Sequence, residues 1–154
     1  MMGSGKSTIG KLLSEKLNFD YLDTDLIIEK QENKTCNEIF EDKGEKFFRS
    51  EELKLISYIS KSNTVIATGG GFPIFNNNMD KLLKIGITIY LKTSPHEIYR
   101  RIGNNKSRPL FQGLASLTKS ISKREFIYEK AHQIISTDNK SFTEIINEIL
   151  SAIR

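Results

Sequence analysis

Cysteine is nearly absent from this chain. Cys36 stands alone, so no internal disulfide can form and a reducing compartment is expected. No apolar run approaches the roughly 20 residues that a membrane-spanning helix requires. The opening residues lack the basic-then-apolar layout of a secretory signal. Together these absences point to the cytoplasm and away from a membrane. Lysine and arginine exceed the acidic residues by a net charge of +4, yet they are not gathered into a stripe with interleaved aromatics. A dedicated nucleic-acid surface is therefore not expected, and most of these charges read as solvated surface. His96 and His132 have no partners at metal-ligand spacing. Repeats, low-complexity tracts and linkers are also lacking, so residues 1–154 read as one domain around one core.

Strand-like and helix-like segments alternate along the chain. Residues 7–17 carry Ile9, Leu12, Leu13 and Leu17 on one helical face. A short strand over 19–22 runs into Asp23-Thr24-Asp25, and a helix resumes over 26–32. Thr35 with Glu38 has the spacing of a capping box, and Gly44 is expected to end the helix so begun. A further helix carries Phe48, Leu55, Ile56 and Ile59. Strands are expected over 64–68 and 87–91, the first followed at once by Gly69-Gly70-Gly71. Ser94-Pro95 gives an N-cap with proline in the first helical position. The stretch from Gly103 to about Thr118 lacks periodicity and reads as a long loop. A helix over 121–131, a strand over 133–136 and a capped helix from Ser141 complete the order. Alternation of this kind predicts an α/β fold, a parallel sheet flanked by helices, with ligands beyond the carboxyl ends of the strands.

Gly3-Ser4-Gly5-Lys6-Ser7-Thr8 matches the second half of the phosphate-binding G-x-x-x-x-G-K-[ST] motif. The glycines let successive backbone N–H groups turn toward phosphate oxygens, and the helix that follows aims its positive end at them. Lys6 reaches the outer phosphates in this motif, and the Ser7 hydroxyl ligates magnesium. The motif's first glycine would fall ahead of Met1, as would the strand that feeds the loop. The expectation is therefore of a natural protein extending roughly 8–12 residues upstream, truncated here at its N-terminus and poorly soluble or inactive without them. Asp23 and Asp25, two apart at a strand end, can project from one face. One could hold magnesium and the other could accept or orient a substrate hydroxyl proton. Glycines 69–71 place backbone where something must approach closely.

These features together resemble the shikimate kinases. The matching stretches are residues 3–8, Leu-Asp-Thr-Asp at 22–25, Gly-Glu-Lys-Phe-Phe-Arg at 44–49, the triplet at 69–71, Ser-Arg-Pro-Leu at 107–110, and Lys-Arg at 123–124 with Tyr128 beyond. The resemblance implies a five-stranded parallel sheet of the P-loop, nucleoside-monophosphate-kinase type, with its first, central strand missing from this sequence and a mobile lid over about 104–118. It also implies transfer of the ATP γ-phosphoryl group to the 3-hydroxyl of shikimate, on the route to chorismate and the aromatic amino acids. By position, Asp25 holds the shikimate hydroxyls and acts as base or positioner, with Lys6 and Arg108 as its catalytic companions. Arg49 and Arg124 bind the carboxylate, while Gly70 and Gly71 face the ring hydroxyls. Gly3, Ser4, Gly5, Lys6, Ser7 and Thr8 hold ATP, with Arg108 swinging in from the lid. Ser7 and Asp23 serve Mg2+. Arg101 is expected to stack on the adenine. ATP and shikimate are the expected partners, and a monomer the expected state.

Two stretches depart from the family pattern. Residues 124–128 lack the proline and leucine that commonly follow this arginine, and the loop at 137–141 lacks its usual proline, leaving adenine contacts there unassigned. Two other readings remain open on the residues alone: a gluconate-type kinase on the same scaffold, and a nucleotide-binding P-loop module without catalysis.

Overall fold

A computed structural model describes residues 3–59, 62–102 and 113–153. In chain order these form α1 (Lys6–Leu17), β1 (Asp20–Asp23), α2 (Thr24–Glu32), α3 (Cys36–Ile56), β2 (Thr64–Ala67), α4 (Asn78–Ile85), β3 (Ile89–Lys92), α5 (Pro95–Ile102), α6 (Leu114–Tyr128), β4 (Gln133–Ser136) and α7 (Phe142–Ala152). The α/β alternation expected from the sequence is present.

Local chemistry sets most boundaries. Asn18 closes α1 and Asn33 closes α2, both in the left-handed region that asparagine tolerates. Both expected capping boxes are formed, Thr35 with Glu38 and Ser141 with Glu144. The Ser94 hydroxyl accepts the Glu97 N–H at 3.2 Å, opening α5 at Pro95. Gly44 ends the first helix as expected: with φ 77° and ψ 169° it is non-helical, and a second helix begins directly after it, so α3 is two helices joined at a kink.

Two boundaries differ from expectation. β1 ends at Asp23 and α2 begins at Thr24, so Asp23 is the N-cap of a helix and Asp25 lies in that helix's first turn rather than on a strand. The Asp23 carboxylate accepts the Asp25 N–H at 3.1 Å, and this local bond outweighs continued extension. Helix α6 starts at Leu114, seven residues before the expected start. Residues 114–118 therefore belong to a helix and not to a loop, with Leu117 turned inward and 1% exposed. The rest of the expected lid, with Arg108, lies outside the described residues.

The strands pair in parallel: Asp20↔Thr64 through Asp23↔Ala67, and Ile89↔Gln133 through Lys92↔Ser136. They form two separate two-stranded ladders. The facing edges of β2 and β3 line an apolar slot of about 390 Å³, with Ile9 and Leu13 of α1 among its walls. Three apolar clusters hold the layers together. Helices α1 and α7 pack on Leu91 and Ile135; helices α2, α3 and α4 close over Phe72; and helices α5 and α6 close over Tyr90. Burying each large apolar side chain in such clusters contributes roughly 1.5–3 kcal/mol. Among the described residues, no helix is long and apolar enough to cross a membrane.

Candidate active site

The phosphate loop is built as the sequence implies. Gly3 and Gly5 both take positive φ, 76° and 87°, and a Cβ on Gly3 would lie 2.7 Å from Ile102 Cδ1. Neither position admits another side chain without strain. Ser4 is buried. The N-cap of α1 is Gly5, which has no side chain to occupy the first-turn N–H groups, the arrangement that suits an anion.

Asp23 ties this loop to the next element. Its Oδ2 accepts the Ser7 hydroxyl at 2.8 Å and the Tyr21 hydroxyl at 3.2 Å, while Oδ1 accepts the Asp25 N–H. A serine hydroxyl and a carboxylate meeting at the mouth of a phosphate loop supply two hard oxygen donors. That set fits magnesium, which takes one or two protein oxygens and completes its shell with water and phosphate.

Asp25 lies half-buried against the glycine turn after β2. Burial raises its carboxyl above the ordinary aspartate range; the Asp23 and Glu29 charges raise it further, while Lys6 and Arg49 act in the opposite direction. The turn is fixed by the buried Thr24 hydroxyl, which accepts the Gly69 N–H at 3.0 Å. A Cβ on residue 69 would overlap Asp25 Oδ1, and one on residue 71 would lie 2.6 Å from Arg49 Cζ. Two of the three glycines therefore let a carboxylate and a guanidinium rest on bare backbone. The third, Gly70, offers its carbonyl to the Tyr128 hydroxyl at 2.6 Å.

Arg49 is held on several sides. It donates to Glu45 at 3.0 and 3.2 Å and to Glu52 at 2.8 Å, and its guanidinium carbon lies 4.2 Å from the Phe75 ring centroid. Glu52 is 0% exposed, and its Oε1 has no hydrogen-bond partner among the described residues. Burial raises its carboxyl, partly offset by Arg49. A buried carboxylate with one satisfied oxygen is costly unless its charge is matched, so Glu52 fixes where the arginine sits. Arg124, one turn before Tyr128 on α6, interacts with that tyrosine's hydroxyl, which also feels the charge of Arg49. The two arginines thus approach the glycine turn from different helices. Arg101 is bound to Glu97 at 2.8 Å, which with Arg100 holds the Glu97 carboxyl down at about 2.

Glu52, Thr24, Tyr21 and Phe75 were not singled out by sequence reasoning. Glu52 resembles its neighbours Glu45 and Glu51 in sequence, and only its burial separates it from them. The spacing Arg49–Glu52, three apart on a helix, was the available signal.

The chain matches the shikimate kinase family profile over residues 2–154. It belongs to the shikimate kinase family. A shikimate kinase of Persephonella marina is 43% identical over 155 residues, covering 99% of this chain and 94% of the relative. One from Clostridium botulinum (strain Loch Maree / Type A3) is 44% identical over 156 residues, covering 98% and 91%. Among solved structures, a shikimate kinase from Acinetobacter baumannii in complex with shikimate superposes with a TM-score of 0.91 at 33% identity, covering 99% of this chain and 88% of that one. A gluconokinase from Sinorhizobium meliloti superposes at TM-score 0.62 with 13% identity, a likeness of fold alone. Within the shikimate kinase family, the P-loop architecture expected from the sequence is the one observed.

Proposed function

We propose that this chain transfers the γ-phosphoryl group of ATP to the 3-hydroxyl of shikimate, giving shikimate 3-phosphate and ADP. The observation that carries the reading is the shared seat of Asp25 and Arg49 on the Gly69–Gly71 turn, joined to the phosphate loop through Asp23. Shikimate presents one carboxylate and three hydroxyls. A carboxylate beside two arginines complements that pattern.

Phosphoryl transfer asks chiefly for positioning and charge stabilisation. The loop amides and Lys6 hold the outer phosphates of ATP. Asp25 orients the 3-hydroxyl and is the acceptor for its proton as the new O–P bond forms and the bond to the ADP oxygen breaks. Its raised carboxyl makes it a stronger base than an ordinary aspartate. Arg49, braced by Glu52, and Arg124 hold the substrate carboxylate. The Gly70 and Gly71 backbone faces the ring hydroxyls, Arg108 reaches the transferring phosphoryl group, and Arg101 borders the adenine. Ser7 and Asp23 are the residues that would hold magnesium, which when bound neutralises charge on the nucleotide phosphates. The lone Cys36 supports placement in the reducing cytoplasm.

A coupled ADP-release assay with shikimate, gluconate and no acceptor tests this reading. Release dependent on shikimate is expected. Release dependent on gluconate would assign another sugar-acid kinase, and ATP binding without release would assign a silent nucleotide module.

A further inference from the structure

Tyr21 touches neither substrate nor nucleotide in the roles assigned above, yet its placement on Asp23 is specific. It lies on β1 two residues before Asp23, so both side chains leave the same face of the strand. Its ring rests on α1 at Gly10, where a Cβ would lie 3.0 Å from Tyr21 Cε2. A glycine at this point of the helix lets a full aromatic ring fit between strand and helix. The ring is then aimed so that its hydroxyl reaches Asp23 Oδ2 at 3.2 Å, the same oxygen that accepts Ser7 at 2.8 Å.

Three donors from three elements thus fix one carboxylate: Ser7 from α1, Tyr21 from β1 and the Asp25 N–H from α2. They are not equivalent. The Ser7 oxygen must also present a lone pair to a cation, and the Asp25 N–H sets only the helix start through Oδ1. Tyr21 donates to the same Oδ2 as Ser7 and also interacts with the Ser7 hydroxyl, so it holds the two oxygens together without being needed as a cation donor itself.

We propose that Tyr21 is a positioning residue for the divalent-cation site, its hydroxyl fixing the Asp23 carboxylate in the orientation that receives Ser7. Partners that orient a metal-binding carboxylate without touching the metal govern affinity through the rotamer they enforce. This inference rests on the assignment of Ser7 and Asp23 to magnesium proposed above.

The test compares the unaltered protein with Tyr21→Phe, which keeps the ring on Gly10 and removes only the hydroxyl. Retention of Mn2+ by the protein–ADP complex is read by electron paramagnetic resonance, beside the half-saturating Mg2+ and shikimate concentrations in turnover. Tyr21→Phe should weaken Mn2+ retention and raise the Mg2+ midpoint by roughly 10-fold, the lower end for outer partners of a metal ligand. Shikimate half-saturation and metal-free ADP binding should not move. Gly10→Ala, which presses the ring without deleting the hydroxyl, should give a smaller change of the same kind, and it carries the test if Tyr21→Phe fails to fold. Unchanged Mn2+ retention in both variants would overturn the inference, as would equal losses for shikimate and metal. Failure of the unaltered protein to retain Mn2+ with ADP would remove the magnesium assignment itself, and this inference with it.

Discussion

The backbone at Gly69 runs so close to Asp25 that a Cβ at residue 69 would overlap Oδ1 and lie 3.1 Å from Cγ. The carboxylate's place is thus set by the absence of a side chain opposite it. Gly69→Ala should displace Asp25 and lower turnover by about 100-fold, the usual scale for misplacing a reacting group by an ångström. Gly69 has no positive φ, so the melting temperature should change little. Near-normal turnover in Gly69→Ala would show that the Asp25 position observed is not the working one.

Asp25 carries a linked prediction about stability and pH. Its folded-state pKa lies above the ordinary value, chiefly through burial and then the Asp23 charge. Ionised Asp25 therefore opposes folding, and that penalty is complete once the pH exceeds the raised pKa. Asp25→Asn should abolish most turnover while leaving the melting temperature at neutral pH equal or higher. The acidic limb of the turnover–pH profile should lie above the usual aspartate range. Glu29→Gln, which removes one of the charges raising Asp25, should move that limb to lower pH. A limb that stays in place would separate Asp25 from the titration.

Much of this site could be read from the chain, but not all of it. The phosphate loop was legible because its residue types are dictated by backbone contact with phosphate. The Asp23–Asp25 pair was legible as a pair, yet its geometry was not, since a strand continuation and a helix cap have the same three-residue signature until the Asp25 N–H finds its acceptor. Leu117 turns inward from a stretch that looked aperiodic, because the cluster that receives it is built with Ile98 of α5 and Tyr90 of β3. Glu52 could not be told from other glutamates without its burial. The split into two ladders follows from which strands meet in space, which local patterns do not encode.

Arg49 and Glu52 should act on shikimate and not on ATP. A hydrogen bond to a charged group contributes roughly 1.5–3 kcal/mol, so Arg49→Ala should weaken shikimate binding ~10- to 150-fold. Glu52→Gln should give a smaller loss of the same selectivity, because Glu45 and Phe75 still hold the guanidinium. Titration calorimetry with each ligand checks this, and equal losses for ATP and shikimate would contradict it.

The slot between β2 and β3 gives a prediction about stability. Both flanking strands are parallel, and neither has a second strand partner among the described residues. An apolar segment of about 5–6 residues ending in Gly, joined directly ahead of Met1, should enter the slot, pair on both sides and feed the phosphate loop. Each kcal/mol so gained should raise the melting midpoint by about 2–4 °C. A scan of the extended and unextended chains decides the matter, and an unchanged midpoint would mean that the slot accepts no strand.

The identity of the product is the most direct measurement. ATP and shikimate incubated with the protein should give one new phosphate ester, and phosphorus–proton correlation in the NMR spectrum should place it on the 3-hydroxyl. Arg49→Ala should lower its yield at subsaturating shikimate, and Asp25→Asn should nearly eliminate it. A phosphate on a different hydroxyl, or ADP formed without any ester, would contradict the roles assigned to Asp25 and Arg49.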